Sequence, residues 1–572
     1  MRAEQHEPIM TAAIGGAAGD GVREAGVNLG TLLTDIGFET HLSFKYPSLI
    51  RGGHNYSRLS FSREKVFYDY RTLDVLIALN DDSIKHHIKE LNPNAVVFAE
   101  RFDDDDRNAL GQNAVVLPLA EFAKSLNAPP ITRSSGALGA VCFLLDLPLD
   151  AMTKILSGIF REKSAELNIS LAKMGYEHMQ KLGFRHANLI AHEPKETREE
   201  FIDGNTAFGQ GLVAAGLNAY LAYPMTPSSS ILHFLAKRQR DFNIRVIHPE
   251  SEIAVINMAL GMAYAGKRVA IGSASGGFAL MQEAFSLAGM GEIPLVVAVS
   301  QRHAPATGVP GHSSQADMRF ALHAGHGEFA RVVIAPGDPE ESFRAGADAL
   351  NLAWKYQIPV IVLLDKHVSE NSMNSALDPS AITVEKGKVS DAADTAYKRY
   401  AITGDGISPF AFPGTANAVV KCDSYEHDES GITTEEVPAV KAMQEKRFAK
   451  AATLRGELKN FETVKVYGDP DSKNAVVFWG STKRPILEAA KYFQGPVKLV
   501  QILWLEPFDA AGVSKHLENA EVIVDVENNH NAQLAGLIRE KTGINIQKTI
   551  LRYDSGPFDP LELAQTLNQF FN

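Results

Sequence analysis

The chain has 572 residues, 45% hydrophobic and 22% charged, with 56 basic against 68 acidic side chains and a formal net charge of −12. Such a length and balance describe a soluble globular protein of about three domains, without the basic face that a nucleic-acid partner requires. Only Cys142 and Cys422 occur, far apart, so neither a disulfide framework nor a cysteine-ligated cluster can be built on this chain. Met1 to Met10 lacks a secretory apolar region, and no apolar run approaches the roughly 20 residues needed to span a bilayer. The expectation is a cytoplasmic protein with no membrane association.

The first unit, 1–195, opens on a strand, Ile9 to Ile14, a glycine-rich turn, Gly15-Gly16-Ala17-Ala18-Gly19-Asp20-Gly21, and a helix-period segment, Val22 to Leu33. Glycines at a strand-to-helix turn let backbone amides approach an anion, or simply allow tight packing, and both readings are open. Tyr46 to Asn55, with Arg51-Gly52-Gly53, reads as a polar loop between strands. The charged run Glu193 to Glu200 reads as a linker.

A second domain, 200–380, alternates helical patterns with short apolar runs at Val269 to Ile271, Pro294 to Val299, Arg331 to Ile334 and Pro359 to Leu364. Alternation of this kind implies parallel strands with helices on both faces. An irregular connecting segment, 381–458, follows. A third domain, 459–572, alternates again, with strands expected at Asn474 to Phe478, Val497 to Ile502 and Glu521 to Val526. The predicted class is α/β, in three domains.

Chemistry concentrates in the second domain. Glu252 heads a segment, Ile253 to Ala265, that is apolar on nearly every face and so predicts a buried helix. A carboxylate there gains about 0.3 to 1 kcal/mol from the helix N-terminus and faces desolvation, conditions that suit proton sharing with a basic nitrogen; a plain helix cap fits the same pattern. After the expected strand Ala219 to Tyr223, the turn Tyr223-Pro224-Met225-Thr226-Pro227-Ser228-Ser229 predicts Thr226 as N-cap and Pro227 as first helical residue. That puts hydroxyl and amide donors at a strand's C-terminal end, where open α/β sheets bind ligands. Arg302 lies after the strand Pro294 to Val299, in a loop running to His312. It reads either as a carboxylate clamp or as a solvated loop arginine. Gly272 to Gly277, which includes Ser275 and Gly276, permits close backbone approach. Three such loops point to one crevice.

Together Gly204-Asn205 to Gly216, Tyr223 to Ser229, Glu250 to Ala254, Ser275-Gly276-Gly277-Phe278, Glu292 to Leu295 and Gln301-Arg302 to Pro310 resemble the α subunit of the 2-oxoacid:ferredoxin oxidoreductases. The N-terminal glycine turn and Arg51-Gly52-Gly53 resemble the family's γ subunit, here fused in front. Glu426-His427-Asp428-Glu429 and Glu527 to Leu534 extend the resemblance over nearly the whole chain.

The resemblance implies a γ-type domain, a thiamine-enzyme pyrimidine-type doubly wound domain and a transketolase C-terminal-like domain. It implies CoA-dependent oxidative decarboxylation of a 2-oxoacid to an acyl-CoA and carbon dioxide, with electrons passed to ferredoxin. Glu252 matches the family's cofactor-activating glutamate, which would hydrogen bond the aminopyrimidine of thiamine diphosphate. Thr226 and Arg302, with Tyr223 nearby, match substrate-holding positions, and Asp428 falls in a motif that approaches the site. Ser275 and Gly276 are candidate cofactor contacts. The family commonly has Leu-Pro-Thr where this chain has Val309-Pro310-Gly311, so a threonine hydroxyl is missing and His312 is the expected substitute. The usual Gly-Gly-Gln-Gly of the γ turn is Gly16-Ala17-Ala18-Gly19, which puts a coenzyme A contact there in doubt.

Neither Gly19-Asp20-Gly21 nor Gly404-Asp405-Gly406 is followed by the asparagine that completes a Mg²⁺-diphosphate motif. Mg²⁺ and a [4Fe–4S] cluster are therefore expected on a β subunit, in an (αβ)₂ heterotetramer that is inert without it. 2-Oxoglutarate is the expected substrate, its distal carboxylate met by His312, Lys45 or a β-chain lysine. Pyruvate or branched-chain oxoacids, a thiamine half-enzyme without ferredoxin, and a non-catalytic scaffold are the alternatives.

Overall fold

A computed structural model describes residues 8–46, 53–184, 199–390 and 397–571. The chain divides into two compact units, one of residues 1–202 with 370–376, the other of 203–369 with 377–572.

The first unit is built on an eight-stranded sheet in the order Ala114–Val116, Leu91–Ala99, Leu73–Ala78, Met10–Ala17, His54–Ser62, Glu39–Lys45, Ser372–Ser375, Glu200–Asp203. The first four are mutually parallel, and the strands from His54–Ser62 to Ser372–Ser375 pair antiparallel. Ser372–Ser375, in sequence part of the second domain, thus completes the first sheet, where the Asn374 side chain accepts from Thr40 N–H and donates to Phe38 O. The opening strand runs to Ala17 rather than stopping at Ile14, because Gly15 and Gly16 continue the ladder opposite Tyr56 and Asn55. The turn proper is only four residues, with Gly19 and Gly21 at positive φ. Of the polar loop expected between strands, residues 47–52 lie outside the described residues, as does 193–198 of the expected linker.

The second unit holds two sheets. Its larger one runs Trp504–Glu506, Val332–Ile334, Pro359–Asp365, Leu295–Gln301, Val269–Ala274, Ala219–Leu221, Arg245–Ile247, parallel except for the edge strand Trp504–Glu506. These strands are apolar on both faces, as a sheet covered on both sides requires. Leu295, Val297 and Val299 face one core with the helices Glu252–Tyr264 and Gln282–Met290, while Val296 and Ala298 face the other with Gly204–Ala214 and Pro339–Tyr356. The smaller sheet runs Val464–Gly468, Lys498–Ile502, Asn474–Phe478, Val522–Glu527, Lys548–Leu551, parallel apart from the first strand.

The segment expected to be irregular contains a 21-residue helix, Val437–Glu457. Its buried residues include Lys446, Arg447 and Lys450. Lys446 and Lys450 both meet the buried carboxylate of Glu292, and Arg447 meets Glu426.

Candidate functional site

In the larger sheet of the second unit the chain runs from Ala219–Leu221 outward to Arg245–Ile247, then crosses back to Val269–Ala274 on the other side of the first strand. The order of strands reverses between Ala219–Leu221 and Val269–Ala274, and open α/β sheets bind ligands at the carboxyl ends of such a pair. Two of the loops singled out in the sequence leave from those ends. They meet where Ser273 Oγ lies 3.9 Å from Met225 Sδ.

The helix that makes the crossover begins at Glu252. Ser251 is its N-cap, its side chain accepting from Ala254 N–H at 3.3 Å. Glu252 is 4% exposed, and its Oε1 is buried without a hydrogen-bond partner. The neighbouring helix Ser275–Leu280 presses on it: a β-carbon on Gly277 would fall 2.0 Å from Ser273 Oγ and 2.5 Å from Glu252 Oε1. A buried carboxylate oxygen left without a donor costs about 1 to 3 kcal/mol or more. An unpaired acceptor of this kind, under a glycine at a switch point, fits a ligand that brings a donor, as the aminopyrimidine of thiamine diphosphate does.

The helix is not buried on every side, as its composition suggested. Ile253 and Met258 are 54% and 42% exposed, and Asn257, Gly261 and Ala265 are open on the same face. Tyr223, Leu280 and Val309 are exposed apolar side chains on the nearby loops and helix.

The turn after Ala219–Leu221 also differs from expectation. The strand stops at Leu221, and the next helix begins at Ser229, after Ser228, with no side-chain cap hydrogen bond. Thr226 and Pro227 therefore belong to the turn. Asn205 fixes it, its Nδ2 donating to Pro227 O at 2.8 Å and to Ser230 Oγ at 2.7 Å. Arg302 Nη1 donates to Thr226 O at 2.8 Å, so Arg302 and Thr226 are brought together at the strand ends. Tyr223 packs its ring edge-on against His248, with centroids 5.8 Å apart.

From Arg302 the chain loops out and returns at His312, closed by hydrogen bonds from His303 N–H to His312 O and from Val309 N–H to His303 O. His312 Nδ1 lies 2.9 Å from Ser555 O, which places the ring proton on Nδ1. The loop's exit is pinned. Ser313 Oγ donates to Asp365 Oδ1, Gln315 is bound to the smaller sheet's domain, and Asp317 accepts from Ser275 Oγ at 2.5 Å while its N–H donates to Gln301 Oε1. Burial pushes the Asp317 carboxyl up, and the Ser275 hydrogen bond partly offsets that. Gly276 faces outward; a β-carbon there meets nothing nearer than Ala306 O at 4.0 Å.

Other expected site residues lie elsewhere in the chain. Asp428 closes a turn by accepting from Ser430 and Ile432 N–H, while His427 Nε2 lies 3.5 Å from Met290 O. Met290 ends the helix that leads into Leu295–Gln301, so within one copy of the chain Asp428 is at the amino end of the sheet, about 20 Å of strand away from Arg302. Lys45 ends a strand of the first unit, its ammonium 5.9 Å from the Tyr56 ring. Asp20 accepts from Ala17 N–H and pairs with Arg133, and Asp405 pairs with Lys388, which helps hold its carboxyl down to about 2. Among the described residues no group of three or more His, Cys, Asp or Glu is placed to hold a metal ion, and no helix is long and apolar enough to cross a membrane. Asn205, Gln315, Asp317 and Asp365 escaped the sequence reading as site-building residues because each acts through loop packing rather than through a local motif.

Residues 210–446 match the family described as pyruvate flavodoxin/ferredoxin oxidoreductase, thiamine diphosphate-binding, and residues 11–178 match the family described as pyruvate ferredoxin/flavodoxin oxidoreductase. The chain is 31% identical to the 2-oxoacid:ferredoxin oxidoreductase subunit alpha of a Sulfolobus species, over 97% of this chain and 96% of the relative. It is 28% identical to the 2-oxoglutarate oxidoreductase subunit KorA of Mycobacterium tuberculosis, over 93% and 87%. Among solved structures, the 2-oxoglutarate:ferredoxin oxidoreductase from Magnetococcus marinus, with 2-oxoglutarate, coenzyme A and succinyl-CoA bound, superposes with a TM-score of 0.88 at 27% identity, over 99% of this chain and 100% of that one. With 31% identity maintained along almost its full length, the chain belongs to the 2-oxoacid:ferredoxin oxidoreductases, as an alpha subunit of that oxidoreductase.

Proposed function

We propose that this chain is the cofactor-activating half of a 2-oxoglutarate:ferredoxin oxidoreductase, which oxidatively decarboxylates 2-oxoglutarate to succinyl-CoA with coenzyme A as co-substrate and ferredoxin as electron acceptor. The observation that carries the reading is the buried, unpartnered Oε1 of Glu252 beneath Gly277. When bound, thiamine diphosphate supplies a carbon nucleophile and an electron sink. Glu252 Oε1 would hydrogen bond the aminopyrimidine of that cofactor, in a position where Gly277 and Ser275 allow close approach. Arg302 holds the oxoacid's 1-carboxylate by charge-assisted hydrogen bonds, with the Thr226 turn against it and Tyr223 and His312 flanking.

The choice of 2-oxoglutarate is supported by the full-length likeness to the Magnetococcus marinus enzyme and by the relative from Mycobacterium tuberculosis. Relatives of 31% and 32% identity bear the broader name 2-oxoacid:ferredoxin oxidoreductase, which favours a second reading in which several oxoacids are accepted.

A β subunit is part of the proposal. Two cysteines cannot ligate a [4Fe–4S] cluster, and the carboxylates of both Gly-Asp-Gly strings are engaged within the protein. Mg²⁺ and the cluster are thus assigned to a β chain that covers the apolar surface around Glu252, in an (αβ)₂ assembly. The test is coenzyme A-dependent reduction of a low-potential viologen by the chain co-purified with its native partner, with 2-oxoglutarate, pyruvate and 2-oxoisovalerate compared. Fastest turnover with 2-oxoglutarate, absent from the chain alone, is the expected result. Faster turnover with another oxoacid overturns the substrate, and turnover by the chain alone overturns the split site.

A further inference from the structure

The segment Glu527 to Leu534 ends the strand Val522–Glu527 in the smaller sheet and touches the substrate loop of the larger one. Asp525 and Glu527, two residues apart on that strand, are both 0% exposed. Glu527 is densely bonded: Oε2 accepts from Trp479 Nε1 at 2.9 Å and Asn529 Nδ2 at 2.6 Å, and Oε1 accepts from Leu534 N–H at 2.7 Å. Asp525 is the reverse, with neither oxygen in hydrogen-bond geometry with a donor. Burial and the facing Glu527 carboxylate drive its pKa well up, against a weaker pull from the Ala535 amide. Burial beside a second carboxyl works against ionisation of Asp525 and favours its protonated form. The flanking strands add Val477 and Thr549 beside Asp525, and Glu527 is the charged group acting on it.

What Glu527 orders is Gln315. Gln315 is 0% exposed and makes every one of its polar bonds to this region. Its Nε2 donates to Trp479 O at 2.6 Å, its N–H donates to Asn528 O at 2.8 Å, its Oε1 accepts from Asn528 N–H at 2.8 Å, and its O accepts from Asn529 Nδ2 at 3.1 Å. Trp479 and Asn529 are thus bonded to Glu527 on one side and to Gln315 on the other. Gln315 in turn sits three residues after His312 and two before Asp317, the residue tied to Ser275 and Gln301.

We propose that the Asp525–Glu527 carboxyl pair is a positioning element for the substrate loop, fixing Gln315 through Trp479 and Asn529 and thereby setting where Arg302 and His312 meet the oxoacid. This rests on the assignment of Arg302 and His312 to substrate made above. The protonated form of Asp525 matters because a negative charge there would repel Glu527 and loosen the bonds it accepts.

The test uses the complex of this chain with its native partner, carrying Glu527→Gln, Asp525→Asn or Asn529→Ala. Glu527→Gln brings an amide donor to a point where three donors converge. Its KM for the oxoacid is expected to rise by about tenfold, the equivalent of one lost charge-assisted hydrogen bond, with kcat changed much less. A merely misfolded fraction would lower kcat and leave KM alone. Asp525→Asn imitates the protonated acid, so it is expected to keep wild-type KM at neutral pH and to lose the alkaline rise in KM that ionisation of Asp525 is expected to produce in the wild type. Amide hydrogen exchange across 303–317 is expected to quicken in Glu527→Gln and in Asn529→Ala, which leaves the carboxylate in place.

An unchanged KM in Glu527→Gln, or an alkaline rise retained in Asp525→Asn, overturns the proposal. Should the wild-type complex turn over no oxoacid, the functional reading fails, and exchange alone decides the positioning role. Faster exchange confined to 303–317 then supports it, and unchanged exchange in both variants overturns it.

Discussion

Gly277 and Glu252 are packed so closely that a single added methyl would sit 2.5 Å from the carboxylate oxygen that has no partner. The same methyl would fall 2.0 Å from Ser273 Oγ and 2.7 Å from Glu252 Cγ, so it crowds the stem of the glutamate as well as its carboxylate end. Gly277→Ala is therefore expected to displace Glu252 at a stability cost of about 1 to 3 kcal/mol, the usual range for overpacking. The measurement is thiamine diphosphate affinity of the assembled enzyme beside its melting temperature. A variant that binds the cofactor as the wild type does would show that Glu252 is not held by this contact.

Removing the charge without changing the shape separates chemistry from packing. Glu252→Gln is expected to lower turnover by about 100-fold or more, the scale of general acid–base catalysis, while assembly is retained. Stability is expected to hold or increase, because the wild type keeps an unsatisfied buried carboxylate oxygen there. Thermal unfolding and viologen reduction on the same preparation check both halves. Turnover within a few-fold of wild type would point to a scaffold role.

The contrast between what could and could not be read from the chain follows from which forces leave a periodic trace. The inner strands of both sheets in the second unit were legible, since buried parallel strands are short apolar runs and Asn474–Phe478 has the predicted bounds, whereas the edge strands Arg245–Ile247, Trp504–Glu506, Val464–Gly468 and Lys548–Leu551 were not foreseen. Glu252 was legible because a carboxylate before thirteen mostly apolar residues is conspicuous. The helix Val437–Glu457 was not, because its buried side carries Lys446, Arg447 and Lys450 held by carboxylates more than a hundred residues or some twenty residues away. Apolar periodicity cannot report a face that is buried by ion pairing. Ser372–Ser375 was missed for a related reason: a four-residue polar strand gains its place from partners across the sheet, not from its own pattern. Gln315 and Asp525 carry no local signal either, their roles arising only when two domains meet.

The buried carboxylate that anchors the helix Val437–Glu457 gives a test of that reading. Glu292 is 1% exposed and meets Lys446 and Lys450, and the nearby Arg399 adds a third cation, which together hold its carboxyl far below the usual range against burial. Glu292→Gln leaves buried cations uncompensated and is expected to cost about 3 to 5 kcal/mol. Denaturant unfolding measures it. A loss under about 1 kcal/mol would mean the cluster rearranges freely.

Acid sensitivity is expected at a second buried cluster. Asp338 caps the helix Pro339–Tyr356, accepting from Glu341 N–H at 3.0 Å, and pairs with Lys483, which brings its carboxyl down to about 2 against burial. A carboxyl depressed in the folded state contributes stability that is fully present above its unfolded pKa, near 4, and is lost as pH falls through the folded value. Its share, about 2 kcal/mol by linkage, should disappear between about pH 4 and pH 2. Asp338→Asn is expected to be less stable at neutral pH and to show a shallower loss across that window. Unfolding free energy measured against pH for both proteins decides it, and parallel curves would exclude Asp338 as a contributor.

The last expectation concerns the face of the Glu252 helix that the chain leaves uncovered. Ile253, Asn257, Met258, Gly261 and Ala265 recur at helical spacing and are all exposed, and a β-carbon at Gly261 would meet nothing within 4 Å. Tyr223, Leu280 and Val309 on the strand-end loops and the next helix are exposed apolar side chains as well. An apolar face beside an unpaired carboxylate is what an interface leaves behind when its partner is removed. Ile253→Glu and Met258→Glu bury no charge in the isolated chain, so its melting temperature is expected to stay within a few degrees of wild type. Association with the proposed β subunit would bring those charges into an apolar contact, and co-purification with the partner is expected to fall by about tenfold or more, with turnover lost in proportion. Retained complex with both substitutions would move the interface away from this helix, and with it the claim that the second half of the active site arrives over Glu252.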